Sequence, residues 1–227
     1  MSAPAFSASA FLKEAVVFDE NDHDRHEAVY RYINQVLAIG LLLLFAPVML
    51  LVAWLIWMRD GAPVFFGHYR VGCKGRLFRC LKFRTMVLNG DELLAALLAR
   101  DPEARTQWER DQKLDKDPRV STVGNFLRRT SLDELPQLFN VARGEMNLVG
   151  PRPITVPELE RYGGARWHYL SVTPGMTGLW QVNGRNLLSY DERVNLDKRY
   201  VETRSLARDL WILLKTIRVV LLREGAR

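Results

Sequence analysis

Residues 36–58 read VLAIGLLLLFAPVMLLVAWLIWM, a run of 23 residues without a charged side chain. An α-helix needs about 20 apolar residues to cross the hydrocarbon core of a bilayer. A helix in the core of a soluble protein usually keeps one polar face, and this run has none. The run therefore predicts a membrane helix. We do not expect a cleaved signal peptide, because no basic region at the N-terminus precedes the run.

Pro47 lies in the middle of this apolar run. A proline inside a helix removes one backbone hydrogen bond and clashes with the preceding turn. Two shapes follow, namely a kinked helix that crosses the membrane or a helix–break–helix that returns to the side it entered. Arg25 and Arg31 precede the run, and Arg59 and Arg70 follow it. Basic flanks prefer the cytoplasmic face, so two basic flanks favour re-entry.

The remaining chain is more polar and predicts a body of short elements. We expect a flexible tail at residues 1–28, a hydrophobic re-entrant segment at residues 29–60 and a cytoplasmic domain at residues 61–227. Clusters of β-forming residues around a Gly-Cys-Lys-Gly turn predict a hairpin within residues 63–86. The predicted fold class is α+β, with a membrane-embedded helix–break–helix anchor and a mostly helical domain that carries a small β-hairpin.

Helical patterns are predicted at residues 90–113, at residues 123–142 with an interruption near Pro136, and at residues 206–223. Glycine and proline predict loops at residues 150–186. The last helix carries an apolar stripe with i, i+3, i+4 spacing. Two interpretations of that stripe stay open, since it can pack against the domain or lie on an anionic membrane surface.

The net charge points to a polyanionic partner. The 32 basic and 26 acidic residues give +6, and the isoelectric point is about 9.5. Nucleic acid, anionic lipid and phosphate-rich substrates all suit this sign. Nucleic acid is disfavoured, because no known binding motif is present and the arginines lie in Gly/Pro loops. Cys73 and Cys80 are too few for a disulfide framework or a zinc site, which indicates a reducing compartment.

The densest polar stretch is RRTSLDELP at residues 128–136. Ser131 and Glu134 have the S-x-x-E spacing of a capping box, and this stretch alone favours that structural explanation. A helix beginning at about Asp133 would instead place Pro136 in its first turn, where proline is tolerated. Asp133 and Glu134 would then lie at the positive end of the helix dipole. An aspartate ionised there can bind Mg²⁺ or attack a phosphorus atom.

A set of basic residues beside Gly, Pro or Thr-rich turns supplies candidate phosphate ligands. Arginine forks match phosphate oxygens, and lysine supplies a compact positive charge. Each residue taken alone is equally explained as a solvated surface charge. The candidates are Lys82, Arg84, Arg128, Arg152 and Arg185.

Three ordered stretches resemble the bacterial sugar transferases, a family of monotopic phosphoglycosyl transferases. They are KFRTM at 82–86, DPRVSTVGNFLRRTSLDELPQLFNVARGEMNLVGPRP at 117–153 and TPGMTGLWQVNGRN at 173–186. The resemblance extends over residues 29–222. It implies an enzyme that transfers a sugar 1-phosphate from a UDP-sugar to undecaprenyl phosphate and releases UMP. That reaction is the first membrane step of exopolysaccharide or related glycan synthesis.

The resemblance also implies the setting and the roles of residues. The expected partners are a UDP-sugar, undecaprenyl phosphate and the bilayer, without nucleic acid, and family members can form homodimers. The expected location is the bacterial inner membrane, with the catalytic domain on the cytoplasmic face. Carried over by motif, Asp133 is the nucleophile of a phosphosugar-aspartyl intermediate, and Asp133 and Glu134 bind Mg²⁺. The other carried-over positions are Lys82, Arg128, Arg152 and Arg185 as phosphate contacts, Asp209 as a supporting acid and Pro47 as the membrane break.

Two questions stay open at this point. The sugar is not readable, because glucose, galactose and N-acetylated sugars all suit the family. A non-catalytic membrane scaffold remains a rival hypothesis. Such a scaffold would be indifferent to Mg²⁺ and to the loss of Asp133.

Overall fold

The computed structural model describes residues 20–111, 114, 116–184 and 187–221. Within these residues the chain is mostly helical and has two small two-stranded sheets, in agreement with the predicted class. The helices are α1 (Glu20–Asp60), α2 (Gly90–Arg100), α3 (Pro102–Asp111), α4 (Thr122–Thr130), α5 (Gln137–Ala142), α6 (Val156–Arg161), α7 (Arg166–Leu170), α8 (Tyr190–Glu202) and α9 (Leu206–Leu221). The strands are β1 (Phe65–Val71), β2 (Leu77–Phe83), β3 (Asn147–Val149) and β4 (Gly175–Thr177).

Helix α1 continues through Pro47 without an interruption. The structure does not show the helical break predicted at this proline, because the loss of one backbone hydrogen bond can kink a helix without ending it. The helix also includes residues 20–28, which the sequence assigned to the tail. Residues 1–19 of that tail lie outside the described residues.

The apolar part of α1 is mostly uncovered by the rest of the chain. The stretch Glu27–Asp60 contains an 18-residue window of mean hydropathy 2.9, and only 17% of that window is buried. Length and composition therefore suffice to cross a membrane. The large exposed side chains on this helix include Leu43, Leu44, Leu50, Leu51, Trp54 and Trp57.

Both flanks of the apolar run contact the same folded body. Before the run, Asn34 Oδ1 accepts a hydrogen bond of 2.7 Å from the backbone N–H of Leu148. After the run, Ser121 Oγ donates to Asp60 Oδ2 at 2.6 Å. The contacts at Asn34 and Asp60 therefore tie opposite ends of the helix to one body.

Two apolar cores pack along α1. The first lies against the earlier half of the helix and contains buried residues of β2, α5, β3, α8 and α9, namely Ala38, Phe78, Cys80, Leu138, Val141, Met146, Leu148, Val149, Tyr200 and Ile212 among others. The second lies against the later half and joins Met49, Val52 and Ile56 to Phe83 of β2 and Leu127 of α4. Each core lies next to one of the flanking hydrogen bonds, so apolar packing and polar contacts together attach each half of α1 to the rest of the chain.

The predicted hairpin is confirmed as the antiparallel pair of β1 and β2. Its turn at Gly72–Arg76 includes a short 3-10 segment, Cys73–Gly75. The second sheet, a parallel pair of β3 and β4, was not predicted. Both of its strands have only three residues, which is too short for a periodic pattern to identify.

The helical predictions hold in outline and miss at the breaks. Residues 206–223 were predicted helical, and α9 confirms this over Leu206–Leu221. Residues 90–113 form two helices, because Pro102 excludes Asp101 from helical geometry. Residues 112 and 113 lie outside the described part of the chain. The predicted loop at 150–186 is wrong in part, since it contains α6, α7 and β4.

Candidate active site

The two predicted catalytic carboxylates lie on a turn between α4 and α5. Ser131 ends α4 with a left-handed backbone (φ 56°), and its side chain caps neither element. The capping-box hypothesis for Ser131 and Glu134 is therefore wrong. A 3-10 turn at Leu132–Glu134 follows, and α5 begins only at Gln137. Asp133 and Glu134 thus precede the helix start instead of occupying its first turn.

Lys82 of β2 faces both carboxylates. Its Nζ atom lies 2.6 Å from Glu134 Oε1 and 3.9 Å from Asp133 Oδ2. Residues about fifty positions apart in the sequence are thereby brought into one ion-paired group. Lys82 makes its short contact with Glu134, so Asp133 is the less compensated of the two acids.

Asp133 has the electrostatic character of a reactive carboxylate. Its side chain is buried, with 8% of the residue exposed. Burial raises the pKa of Asp133 to about 6, the positive charges of Lys82 and Arg128 lower it, and the negative charge of Glu134 raises it further. Most of the carboxylate is ionised at pH 7, at a buried position where its charge is poorly solvated. An ion in that position reacts more readily than a hydrated one.

Arg128 reaches the site through a close approach between α4 and the chain that follows β2. A Cβ atom on Gly124 would lie 2.0 Å from the carbonyl oxygen of Thr85, so only glycine permits this approach. The Nε atom of Arg128 donates to Thr85 Oγ1 at 2.9 Å. This bond orients the guanidinium beside Asp133, whose pKa it lowers.

Arg152 belongs to the same electrostatic neighbourhood. Its side chain is exposed, and the Cζ atom lies 5.9 Å from the ring centroid of Trp180. Burial raises the pKa of the Cys80 thiol on β2, and the charges of Lys82, Glu134 and Arg152 also act on it. These charges therefore surround one stretch of β2. Cys80 itself is buried and not in a disulfide.

Arg84 was predicted to bind phosphate, and the structure gives it a different position. The side chain is buried, and its Nη2 atom donates to the carbonyl oxygens of Asp60 at 2.6 Å and Gly61 at 2.7 Å. It thereby closes the C-terminal end of α1, where helix carbonyls lack partners within the helix. These bonds use Nη2 alone, and Nε and Nη1 find no partner among the described residues, so the phosphate role of Arg84 stays a prediction.

Asp209 lies in another polar group, which we call the flank cluster and define as Glu27, Tyr30, Tyr200, Arg204 and Asp209. The hydroxyl of Tyr200 donates to Asp209 Oδ1 at 2.8 Å. Arg204 pairs with Glu27 of α1, and its Cζ atom lies 3.8 Å from the ring centroid of Tyr30. The cluster joins α8 and α9 to α1. Asp209 therefore makes its contacts in this cluster and not with Asp133. Arg185 lies outside the described residues.

Asn140 supports the site and was missed from the sequence. Its side chain is fully buried in α5. Its Oδ1 atom accepts from the backbone N–H of Leu81 at 2.9 Å, and its Nδ2 atom donates to the carbonyl of Arg79 at 2.9 Å and to Glu145 Oε2 at 2.6 Å. The residue therefore fixes the strand beside Lys82. The sequence feature that could have indicated this role is a single amide side chain within the apolar run LFNVA.

The donor set suits a metal ion that arrives with a diphosphate. Among the described residues, no group of three or more His, Cys, Asp and Glu side chains could hold a metal ion. Asp133 and Glu134 supply two adjacent carboxylates. Magnesium is commonly held by one or two carboxylates together with substrate phosphates. The two acids therefore fit Mg²⁺ shared with a substrate better than an ion held by the protein alone.

Comparison with known proteins decides the family. The family model described as bacterial sugar transferase matches residues 25–223. The chain belongs to the bacterial sugar transferase family. The resemblance carried by the three motifs is thereby confirmed, and residues 82–86 and 128–136 form the Lys82–Asp133–Glu134 group in the structure.

Three relatives place this bacterial sugar transferase in more detail. It is 54% identical over 196 residues to the undecaprenyl-phosphate galactose phosphotransferase of Salmonella typhimurium, covering 86% of this chain and 41% of that protein. It is 51% identical over 185 residues to the exopolysaccharide production protein ExoY of Rhizobium meliloti, covering 82% of each. It is 37% identical to the UDP-glucose:undecaprenyl-phosphate glucose-1-phosphate transferase of Escherichia coli, covering 80% of this chain and 38% of that protein.

The coverage differs between the two kinds of relative. The chain spans about two fifths of the Salmonella and Escherichia coli proteins and most of ExoY. Its similarity to the longer proteins therefore concerns one part of them. The two longer relatives also name different sugars, galactose and glucose.

Proposed function

We propose that this chain transfers a sugar 1-phosphate from a UDP-sugar to undecaprenyl phosphate, releasing UMP. The observation that carries the proposal is the ion-paired group of Lys82, Asp133 and Glu134 in a member of the bacterial sugar transferase family. The relatives' names supply the two substrates. The product, a polyprenyl diphosphate sugar, would start an exopolysaccharide or a related glycan.

The chemistry divides into two displacements at one phosphorus atom. A carboxylate oxygen of Asp133 attacks the phosphorus next to the sugar, and the bond from that phosphorus to the UMP oxygen breaks. UMP leaves with the electron pair, and the sugar phosphate remains on Asp133 as an acyl phosphate. A phosphate oxygen of undecaprenyl phosphate then attacks the same phosphorus, and the carboxylate of Asp133 is released. A covalent step lets one site serve a water-soluble donor and a membrane acceptor in turn.

The neighbouring residues support this division of roles. Lys82 and Arg128 place positive charge beside Asp133, where the diphosphate oxygens would approach. Arginine and lysine at such a position stabilise the charge of phosphoryl transfer. Mg²⁺ held by Asp133 and Glu134 would neutralise charge on the departing UMP. Glu134 keeps the ammonium of Lys82 within reach of both acids.

The contacts of α1 support a re-entrant anchor on the cytoplasmic side of the inner membrane. A straight membrane-spanning helix would separate its two flanks by about 30 Å of hydrocarbon. Asn34 and Asp60 nevertheless contact the same body. With both flanks basic and on one side, the exposed apolar middle of α1 would enter the bilayer and return. Because the backbone stays helical through Pro47, re-entry would require one bent helix instead of two separate ones.

The deciding experiment measures UMP release by the detergent-purified full chain. The reaction contains undecaprenyl phosphate, Mg²⁺ and one donor from a panel that begins with UDP-galactose and UDP-glucose. We expect multiple-turnover release with one donor that depends on both the lipid and Mg²⁺, and at most one UMP per chain without the lipid. A second arm omits the lipid, and intact-protein mass spectrometry should then find one sugar phosphate bound per chain. UMP release from folded protein that never requires the lipid acceptor would overturn the proposal.

A further inference from the structure

A cleft with a mixed lining lies at the junction of α8, α9 and the turn after β4, within the described residues. Its volume is about 490 Å³, in the range of small-molecule sites. Leu179, Leu196 and Trp211 supply apolar walls, and Arg199 and Arg208 supply positive charge. Among the described residues that line it, none is a carboxylate. Such a lining matches an amphiphile with an anionic head.

The basic side of the cleft has unused donor capacity. The Nη1 atom of Arg208 is buried, and it finds no hydrogen-bond partner among the residues that the structure describes. A buried guanidinium donor without a partner is costly, so an anion at this position would be stabilised. Lys215 Nζ adds a third positive charge near the rim, where it donates to Asn183 Oδ1 at 3.2 Å and lies 4.3 Å from the ring centroid of Trp211.

The outer face of α9 extends the apolar wall away from the cleft. Its inner face buries Ile212 in the core that also contains Ala38 of α1, so the two helices share one core. Its outer face is exposed and apolar, with basic residues alongside. The exposed side chains are Leu206, Leu210, Trp211, Leu214 and Ile217. An exposed apolar face flanked by basic residues suits a helix that lies in the lipid interface.

We propose that this cleft binds the phosphate headgroup of an anionic bilayer phospholipid, with the acyl chains following the exposed face of α9. Arg208 and Arg199 contact the phosphate, and Leu206, Leu210 and Leu214 contact the chains. The inference rests on the membrane embedding proposed above. It does not depend on the catalytic chemistry, because none of the described residues that line the cleft contacts Asp133.

The test uses the tryptophan of the cleft as a reporter. The detergent-purified full chain is titrated with brominated phosphatidylglycerol or brominated phosphatidylcholine, and quenching of tryptophan fluorescence is followed. Half-maximal quenching should need about tenfold less phosphatidylglycerol, as expected from one charge-assisted contact. Trp211→Phe should remove this preference, whereas the quenching of Trp54 and Trp57 by either lipid should persist.

Arg208→Gln should abolish the preference, and Arg100→Gln, which removes an equal charge from exposed α2, should preserve it. Equal quenching by the two lipids, or a preference that survives Arg208→Gln, overturns the proposal. Displacement of brominated phosphatidylglycerol by one equivalent of undecaprenyl phosphate would assign the cleft to the acceptor instead. Displacement by millimolar inorganic phosphate would assign it to a free anion.

A separate readout distinguishes this inference from the proposed function. UMP release by the Arg208→Gln protein in detergent should stay within about twofold of the parent, since Arg208 contacts none of Lys82, Asp133 and Glu134 among the described residues. In the parent protein, equal quenching by the two lipids together with intact UMP release overturns the cleft alone. Lipid preference without any UMP release supports the cleft and contradicts the proposed reaction.

Discussion

The Asp133 site and the flank cluster contain similar residues and use them in opposite ways. In the flank cluster, Arg204 meets Glu27 directly, and the carboxylate of Asp209 accepts a short hydrogen bond from Tyr200. In the Asp133 site, Lys82 is 2.6 Å from Glu134 but 3.9 Å from Asp133.

The two regions differ in how closely a hydrogen-bond donor or positive charge approaches each carboxylate. Each acid of the flank cluster has a close donor, which suits a group that fastens one element to another. Asp133 is buried and has no donor as close as the one Glu134 receives, which keeps its carboxylate reactive. The same side-chain types therefore stabilise the fold in the flank cluster and leave a reactive carboxylate at Asp133.

The largest expected effect comes from Asp133→Asn. The substitution removes the nucleophile while keeping the shape of the side chain, so UMP release should fall by at least about 10³-fold. Steady-state release with the active donor measures this. The matched control is Asp197→Asn, another buried carboxylate, which should retain turnover within about twofold. Turnover by Asp133→Asn close to the parent value would remove Asp133 as nucleophile.

Breaking the flank cluster should act on stability instead. Arg204→Met leaves Glu27 buried without its positive partner, a change that usually costs about 3–5 kcal/mol of unfolding free energy. Thermal unfolding in detergent should show a clearly lower Tm at unchanged kcat per folded molecule. Arg100→Met on exposed α2 serves as the control. If Arg204→Met lowers kcat with no change in Tm, the two regions are not separate in the way described.

The reactivity of Asp133 should carry a measurable cost in stability. Its pKa in the folded state is about 6, compared with an ordinary value of 3.8. Because the folded state holds the proton more tightly, this group reduces stability as pH rises from 3.8 through 6, by about 3 kcal/mol in full. Asp133→Asn should therefore unfold at a higher temperature than the parent at pH 7.5. The gain should be about half as large at pH 5, and an equal gain at both pH values would contradict the raised pKa.

Gly124→Ala tests the close approach that places Arg128. The added Cβ would meet the carbonyl oxygen of Thr85 at 2.0 Å, so α4 must move away. We expect a loss of about 1–3 kcal/mol in stability together with a lower kcat/KM for the UDP-sugar. Gly164→Ala has no atom within 4 Å of the added Cβ and should leave both quantities unchanged. If Gly124→Ala kept the parent value of kcat/KM, the position of Arg128 would not matter for the reaction.

Ser121→Ala should have the smallest effect. Its Oγ atom caps α4 by accepting from the Gly124 backbone N–H at 2.9 Å, and it donates to Asp60 Oδ2 at 2.6 Å. Loss of this cap should cost about 1 kcal/mol of stability and leave kcat within about twofold. Chemical denaturation measures the loss, and Ser121→Thr should restore most of it. No loss with alanine would mean that the end of α1 is held by Arg84 alone.

The sequence predicted the elements whose signals are local. The apolar run, the hairpin and the last helix each depend on a pattern within about twenty residues, and each is confirmed as an element. Ser131 shows the limit. Its S-x-x-E spacing favoured a cap at the start of a helix, but in the structure Ser131 ends α4, with its backbone N–H bonded to the carbonyls of Leu127 and Arg128.

The candidate site divides in the same way. Motifs predicted that Lys82, Asp133 and Glu134 act together, and the structure brings them within 4 Å. The contacts of Arg84 with the main-chain carbonyls of Asp60 and Gly61 were not predicted. Main-chain acceptors carry no sequence signature. Asn140 was missed for the same reason, since it too bonds main-chain atoms.

The attachment of α1 at both ends imposes an order on biosynthesis. Asn34 can bond to Leu148 only after the ribosome has added 114 more residues, and Glu27 can pair with Arg204 only after it has added 177 more. At about 5–20 residues per second, the ribosome needs about 10–35 s to supply Arg204 after Glu27. During that interval the apolar helix α1 lacks its polar partners. The bilayer or a chaperone must therefore cover its apolar surface until the domain has folded.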